Sequence, residues 1–317
     1  MYEGFFGLNH APFSLTPDTE RFVSLASHQA CFDVLRFAIE SNEGFVKVVG
    51  DVGTGKTLLC RKLLHHLDQH ATVEDGAQRF IPIYIPNPML SALGLMRAIA
   101  SALDIPGAGS MRYADLFESI QQALVLQTRQ ECTAVIIIDE AQALPPDTLE
   151  ALRLITNLET ETRKLVQIVL FGQPELDVVL AEHRFRQLRQ RIGFHARLEP
   201  LASEHVGHYV QARLQASGYN GIPLFSPAAL RQLYRHSRGV PRMLNILCHK
   251  AMLSAYGRGD RRITPKDIHR AADDTPATAG RRNHRAIAGL VALAVLAALL
   301  VWLNLSGQAP TVLEWLS

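Results

Sequence analysis

Eight consecutive residues, Gly50, Asp51, Val52, Gly53, Thr54, Gly55, Lys56 and Thr57, combine three glycines, a lysine and hydroxyls in one short stretch. Glycines let a backbone curl until its N–H groups converge on an anionic oxygen. The apolar run FVKVV at 45–49 reads as a buried strand, and LLCRKLLHHL after the stretch has helical spacing. Strand, glycine-rich loop and helix, in that order, are the setting a phosphate loop requires. The following helix offers the positive end of its dipole. Residues 50–57 would then cradle the phosphates of a nucleotide, with Lys56 reaching the β and γ groups and the Thr57 hydroxyl on Mg²⁺.

A second run, AVIII at 134–138, ends in Asp139 and Glu140. A β-branched strand ending in acid puts carboxylates at its C-terminal end, where ligands sit in doubly wound sheets. Asp139 is the expected Mg²⁺ partner, directly or through water, and Glu140 the expected general base for an attacking water. The alternative for an isolated acid pair is a solvated loop.

The surrounding elements must bring these groups together. FIPIYI at 80–85 reads as another strand, and Pro82 suggests a sheet edge. Helical spacing covers 23–41, 90–103 and 113–128. Strands alternate with helices to about residue 200, which signals an α/β fold with a parallel sheet covered on both faces. Beyond Pro200 the pattern is all-helical, over 203–216, 226–237, 241–256 and 265–273. The expected division is an ATPase core at 1–200, a helical lid at 201–274, a basic linker at 275–285, a transmembrane helix at 286–305 and a short tail at 306–317.

Composition limits the functional classes. The 317 residues are 48% hydrophobic and 20% charged with a net charge of +2, so a wholly basic nucleic-acid binder is disfavoured. The charge is uneven: residues 1–256 sum to −1, 257–285 to +4, and 286–317 carry Glu314 alone. Residues 286–303, AIAGLVALAVLAALLVWL, contain no charge or proline. Extended to Leu305 they span about 30 Å as a helix, the thickness of a bilayer's hydrocarbon. A buried core helix is the alternative, though such helices seldom lack a polar face for so long. Arg281, Arg282, His284 and Arg285 precede the segment, so the N-terminal body is expected on the cytoplasmic side of a bacterial inner membrane. The N-terminus lacks the basic start and apolar run of a signal peptide. Cys31, Cys60, Cys132 and Cys248 form no CxxC pair or zinc spacing and read as buried thiols. His65, His66 and His70 on one helix read as solvated rather than as a metal site.

Other motifs acquire meaning through resemblance. LVQIVLF at 165–171, followed by Gly172, Gln173 and Pro174, resembles the fourth strand of an AAA+ ATPase sheet. Gln173 then stands in the place of the polar sensor near the γ-phosphate. RGVPR at 238–242 resembles the second sensor of AAA+ lids, which implies that Arg242 touches the γ-phosphate; a surface arginine in a helical turn is the other reading. The stretch FRQLRQRIGFHARLEPL crowds Arg186, Arg189, Arg191 and Arg197 together, just after Arg184. It reads as a finger completing a neighbouring subunit's site, as a nucleic-acid patch, or as a solvated helix face. Arg189 and Arg191 are the finger candidates because they stand just before the strand-like FHARL.

Taken together, FFGL…PF, GFVKVVGDVGTGKT, IIIDEAQALPPDTLEALRLITNLET, LFGQPEL, FRQLRQRI and RGVPRMLNILCHKAML resemble the secretion ATPases of the ExeA/GspA type, over residues 1 to about 272. The wording is nearest to members serving MSHA-type IV pilus biogenesis. The resemblance implies an AAA+ fold, ATP hydrolysis with Mg²⁺, homo-oligomers and inner-membrane pilus or secretion assembly proteins as partners, with membrane lipid around the span. Longer family members continue into a periplasmic peptidoglycan-binding region. Here only residues 306–317 follow the span, so direct peptidoglycan binding is not expected. Phe5, Phe6 and Phe13 either pack as core or border the adenine, as the equivalent segment does in other AAA+ proteins. Two further functional classes stay open: a DNA-binding AAA+ ATPase related to transposition and replication-initiator proteins, which a membrane anchor disfavours, and a non-hydrolysing nucleotide-gated scaffold.

Overall fold

The computed structural model describes residues 2–14, 26–69, 80–86, 88–159 and 164–276, with 294–295, 297–299 and 301–302 beyond them. A short helix α1 (Glu3–Phe6) is followed by α2 (Ala26–Glu40), β1 (Phe45–Gly50), α3 (Lys56–Gln69) and β2 (Phe80–Ile85). Helices α4 (Ala92–Ala102) and α5 (Tyr113–Arg129) precede β3 (Thr133–Ile138), and α6 (Pro146–Ile155) separates it from β4 (Val166–Gly172). Then come α7 (Glu175–Ala181), α8 (Arg186–Gln190) and β5 (Phe194–Leu198). Four helices close the described body: α9 (Ser203–Ala216), α10 (Pro227–Ser237), α11 (Pro241–Gly257) and α12 (Pro265–Asp273).

The five strands pair in the order β2-β3-β4-β1-β5, and every pairing is parallel. Pro82 sits on β2, which is an edge strand as its missing N–H demands. Alternation along β3 explains why both sheet faces are apolar. Ala134, Ile136 and Ile138 join the cluster beneath α4, α5 and α6, whereas Val135 and Ile137 join α2 and α3 on the other side. The result is a three-layered α/β/α body, as the alternation of strands and helices implied.

A separate apolar cluster unites α9, α10, α11 and α12. It also contains Tyr2, Phe6, Leu8 and Phe13. The sequence divides at residue 200, yet the opening residues pack with the helices beyond that point. The cause is aromatic burial: Phe13 meets Phe225 edge to face at 6.2 Å, and the Tyr2 hydroxyl lies 2.8 Å from His249 Nδ1. The four cysteines are buried and none forms a disulfide. Burial pushes the Cys31 thiol up to about 11, and those of Cys60, Cys132 and Cys248 upward as well.

Most of the expected span at 286–305, residues 277–285 of the expected linker at 275–285, and the tail at 306–317 lie outside the described residues. The described positions 294–295, 297–299 and 301–302 are helical. Among the described residues, no helix is long and apolar enough to cross a membrane.

Within the helical unit, Leu201 and the turn between α10 and α11 meet at a tight point. Leu201 N–H donates to the Gly239 carbonyl at 2.9 Å, and Gly239 adopts φ +76°. A Cβ there would stand 1.9 Å from the Leu201 carbonyl oxygen. Gly239→Ala is therefore expected to destabilise the protein by roughly 2–5 kcal/mol, combining a left-handed backbone with an overpacked contact. Urea denaturation followed by circular dichroism measures it.

Candidate active site

Gly50 ends β1, and the chain loops through residues 51–55 before α3 begins at Lys56. Gly53 takes φ +82°, and a Cβ there would lie 2.8 Å from Arg242 Cβ, so loop and helical unit touch only because the side chain is absent. The Arg242 N–H donates to the Gly53 carbonyl at 3.1 Å. Thr54 is fully buried, its hydroxyl donating to the Asp51 carbonyl at 2.8 Å. His28 Nε2 lies 2.8 Å from the Thr54 carbonyl and braces the loop from α2. Burial lowers the His28 pKa, countered in part by that contact, and keeps the ring neutral.

Lys56 is buried and donates from Nζ to the Gly50 carbonyl at 2.8 Å and the Asp51 carbonyl at 3.0 Å. Burial lowers its pKa, while Glu140, Asp139, Asp51 and Glu175 pull it back up. The ammonium thus points into the mouth of the loop. Beside it, Thr57 Oγ1 donates to Asp139 Oδ2 at 2.7 Å, and Asp139 Oδ1 accepts the Glu140 N–H at 2.9 Å. A hydroxyl and a buried carboxylate in contact are hard oxygen donors of the kind Mg²⁺ prefers.

Glu140 occupies the left-handed region at φ 52°, ψ 39°. A non-glycine residue there is strained, a cost that recurs at functional sites. The conformation swings the chain from β3 into a single 3₁₀ turn, Ala141–Ala143. Glu140 Oε2 accepts Gln142 Nε2 at 2.6 Å and Gln173 Nε2 at 2.9 Å. Burial pushes the Glu140 pKa up, but the amides of Gln173 and Gln142 and the Lys56 charge outweigh it, so the group lies below its ordinary value and is ionised at neutral pH. Gln173 follows β4 directly, and its N–H donates to Gln142 Oε1 at 2.9 Å.

Lys56, Thr57 and Glu140 line a cleft of about 410 Å³ between sheet and helical unit, with Asp139 and Gln173 each one hydrogen bond behind it. Its walls include Val52, Gly53, Gly55, Lys56, Thr57, Glu140 and Arg242, in a volume suited to a small ligand. Ser14, Tyr209, Arg213 and Asn245 also line it, and sequence reasoning missed all four. Tyr209 donates to Asn245 Oδ1 at 2.8 Å, and burial pushes its hydroxyl up to about 12. The available signal was polarity on buried helix faces: Tyr209 and Arg213 are one turn apart on α9, as Arg242 and Asn245 are on α11. Gln142 and His28 were missed as well; Gln142 stands two places after Glu140.

Arg189 and Arg191 are exposed and are not among the residues lining this chain's own cleft. Arg191 donates to the Thr156 carbonyl at 2.8 Å, and Arg189 to that of Ala181 at 3.4 Å. Phe6 and Phe13 are buried in the cluster of the helical unit with Phe5 against it, so packing is the role observed for them, and Ser14 is the N-terminal residue at the cleft.

Residues 39–180 match the AAA domain family. Over 272 residues, 86% of its length, the chain is 39% identical to general secretion pathway protein A of Aeromonas hydrophila. The chain belongs to the ExeA/GspA-type AAA+ ATPases. The match covers 48% of that relative, so this ExeA/GspA-type chain spans about half the length of the curated protein it resembles. Solved structures share its fold at low identity. Cdc6p from Pyrobaculum aerophilum superposes with a TM-score of 0.60 at 18% identity, covering 83% of this chain and 70% of that one. The ORC2 protein of Aeropyrum pernix also reaches 0.60, at 14% identity over 84% and 72% of the two chains. The RuvB branch-migration motor of Thermotoga maritima reaches 0.51, at 17% identity over 81% and 73%.

If Lys56 is the phosphate ligand of this family member, Lys56→Ala is expected to weaken ATP binding by at least about tenfold, the loss of one charge-assisted contact. Isothermal titration with a non-hydrolysable ATP analogue tests it, and unchanged affinity would remove Lys56 from the site.

Proposed function

We propose that this chain is a membrane-anchored ATPase that hydrolyses ATP to assist the assembly or localisation of a secretion complex or an MSHA-type IV pilus complex. One observation carries the hydrolytic reading: Lys56, Thr57 and Glu140 line one cleft with Arg242 of the helical unit, while Asp139 is hydrogen-bonded to Thr57 and Gln173 to Glu140 just behind them. The relative's role in general secretion supports the assignment to envelope machinery.

In this reading Lys56 and the loop N–H groups bind the phosphates, and Arg242 adds positive charge from α11. Mg²⁺, held by Thr57 and Asp139, supplies charge neutralisation at the phosphate oxygens. Glu140, ionised at neutral pH, orients the attacking water and takes its proton as the bond to the leaving ADP oxygen breaks. Gln173 donates to an oxygen of the γ-phosphate. Because Arg242 is tied to Gly53 through its backbone, nucleotide in the loop is coupled to the position of the helical unit.

The exposed Arg189 or Arg191 acts on the site of a neighbouring copy, which makes turnover depend on assembly. Residues 286–305 cross the inner membrane with the ATPase body on the cytoplasmic side. The apolar sequence and the exposure of Val295, Leu299, Val301 and Trp302 support this placement. Partners are envelope assembly proteins and lipid.

A second reading, DNA binding, is favoured by the exposed guanidinium groups of Arg184, Arg186, Arg189, Arg191 and Arg197. It predicts binding that weakens steeply as salt is raised.

Glu140→Gln is expected to bind ATP normally and to lower turnover by about 10²-fold or more. Equal turnover in wild type and variant would exclude Glu140 as base. Mixing Arg191→Ala with Glu140→Gln protein should restore activity above that of either alone if Arg191 acts in trans; absence of recovery at every ratio, repeated with Arg189→Ala, would remove the finger. Affinity purification of ATP-loaded Glu140→Gln from solubilised membranes identifies the partners. Recovery of pilus or secretion subunits supports the reading, and recovery of DNA-bound proteins overturns it.

A further inference from the structure

We propose that Gln142 is a positioning residue for hydrolysis: its amide keeps the Glu140 carboxylate in place when the Gln173 amide turns to the γ-phosphate. The inference rests on the reading of Glu140 as base and Gln173 as sensor.

Three side chains and one backbone group form a closed ring. Gln142 Nε2 donates to Glu140 Oε2 at 2.6 Å, and Gln173 Nε2 donates to the same oxygen at 2.9 Å. Gln142 Oε1 in turn accepts the Gln173 N–H at 2.9 Å. The ring fixes the orientation of the Gln142 amide, because the atom facing an N–H must be the oxygen, leaving the nitrogen to face the carboxylate. Both amides use Oε2, so neither takes Oε1, the oxygen that remains on the carboxylate for a water.

The two donors are tethered differently. Gln173 reaches Glu140 through its own rotatable side chain. Gln142 is gripped at its other amide atom by a backbone N–H at the end of β4, a strand held by the register Phe171 opposite Val48 and Gly172 opposite Val49. A γ-phosphate oxygen, more highly charged than a carboxylate, competes for the Gln173 amide. The anchored Gln142 amide then continues to hold Glu140.

Local backbone makes the arrangement possible. Residues two apart do not face one another on a helix. The left-handed Glu140 and the turn closed by Ala143 N–H to the Glu140 carbonyl at 2.9 Å fold the chain back, so Gln142 returns to Glu140. Asparagine is one methylene too short to span both partners. Glutamate would set a second carboxylate against the first.

The test is a double-mutant cycle on the full chain in detergent, reading steady-state hydrolysis and binding of a non-hydrolysable ATP analogue. Gln142→Ala is expected to lower kcat roughly 10- to 100-fold, the loss of a hydrogen bond to a charged group, with KM and analogue affinity changed by less than about twofold. In the Glu140→Gln background the same substitution is expected to change residual turnover by less than about twofold, because the carboxylate through which it acts is gone. Unchanged kcat, or an equal loss in both backgrounds, would overturn the proposal. Should Gln142→Ala fail to fold or lose analogue binding, Gln142→Glu decides: it keeps the acceptor for the Gln173 N–H and removes the donor. It must then lose turnover while retaining analogue binding; wild-type kcat, or loss of both, counts against the proposal. Wild-type turnover in Glu140→Gln alone would instead remove the reading of Glu140, an outcome separable from failure of Gln142.

Discussion

The parallel ladder that seats β4 between β3 and β1 governs the arrangement of the cleft. Val49 lies opposite Gly172, and Ile138 opposite Leu170, so the three strands end nearly level. Their next residues are the phosphate loop, the Asp139–Glu140 pair and Gln173. Parallel strands all present their C-terminal ends on the same side, and side chains there point into a common crevice. Burial of both faces by helices holds the ladder rigid, because the alternating β-branched residues have apolar partners above and below. Distances of 2.6–2.9 Å among Glu140, Gln142 and Gln173 depend on that rigidity.

A second constraint is the coupling of the sheet to the helices beyond it. It runs through a small contact, Gly53 against Arg242, and the hydrogen bond from Arg242 N–H to the Gly53 carbonyl. Glycine at position 53 lets the loop approach α11 closely. The N-terminal residues strengthen the helical side of this joint, since Arg213 Nε donates to the Pro12 carbonyl and Asn9 N–H to the Ser217 carbonyl. The cleft is thus walled by two units whose apolar clusters are separate, the arrangement in which a ligand between them can bias their relative position.

Electrostatics in the cleft follow from the same geometry. Lys56 loses some affinity for its proton through burial, yet four acids restore part of it. Glu140 would be raised by burial, yet two amides and Lys56 hold it down. In each case burial disfavours the charged form and neighbouring charges or amides favour it.

Much of this was legible along the chain. The glycine spacing at 50–57, the acid pair after a β-branched run, the edge proline at 82 and all four helices after residue 200 are local patterns, set by backbone freedom, side-chain periodicity and capping. Local physics acts over a few residues, so a single strand of text carries it. Tertiary structure alone decided that β4 lies between β3 and β1, that Tyr2, Phe6 and Phe13 join the distant helices, and that Tyr209, Arg213 and Asn245 face the phosphate loop. It also decided that Gln142 turns back onto Glu140. Each of these depends on contacts between residues remote in sequence, or on one residue's left-handed turn, and neither leaves a periodic trace in the order of amino acids.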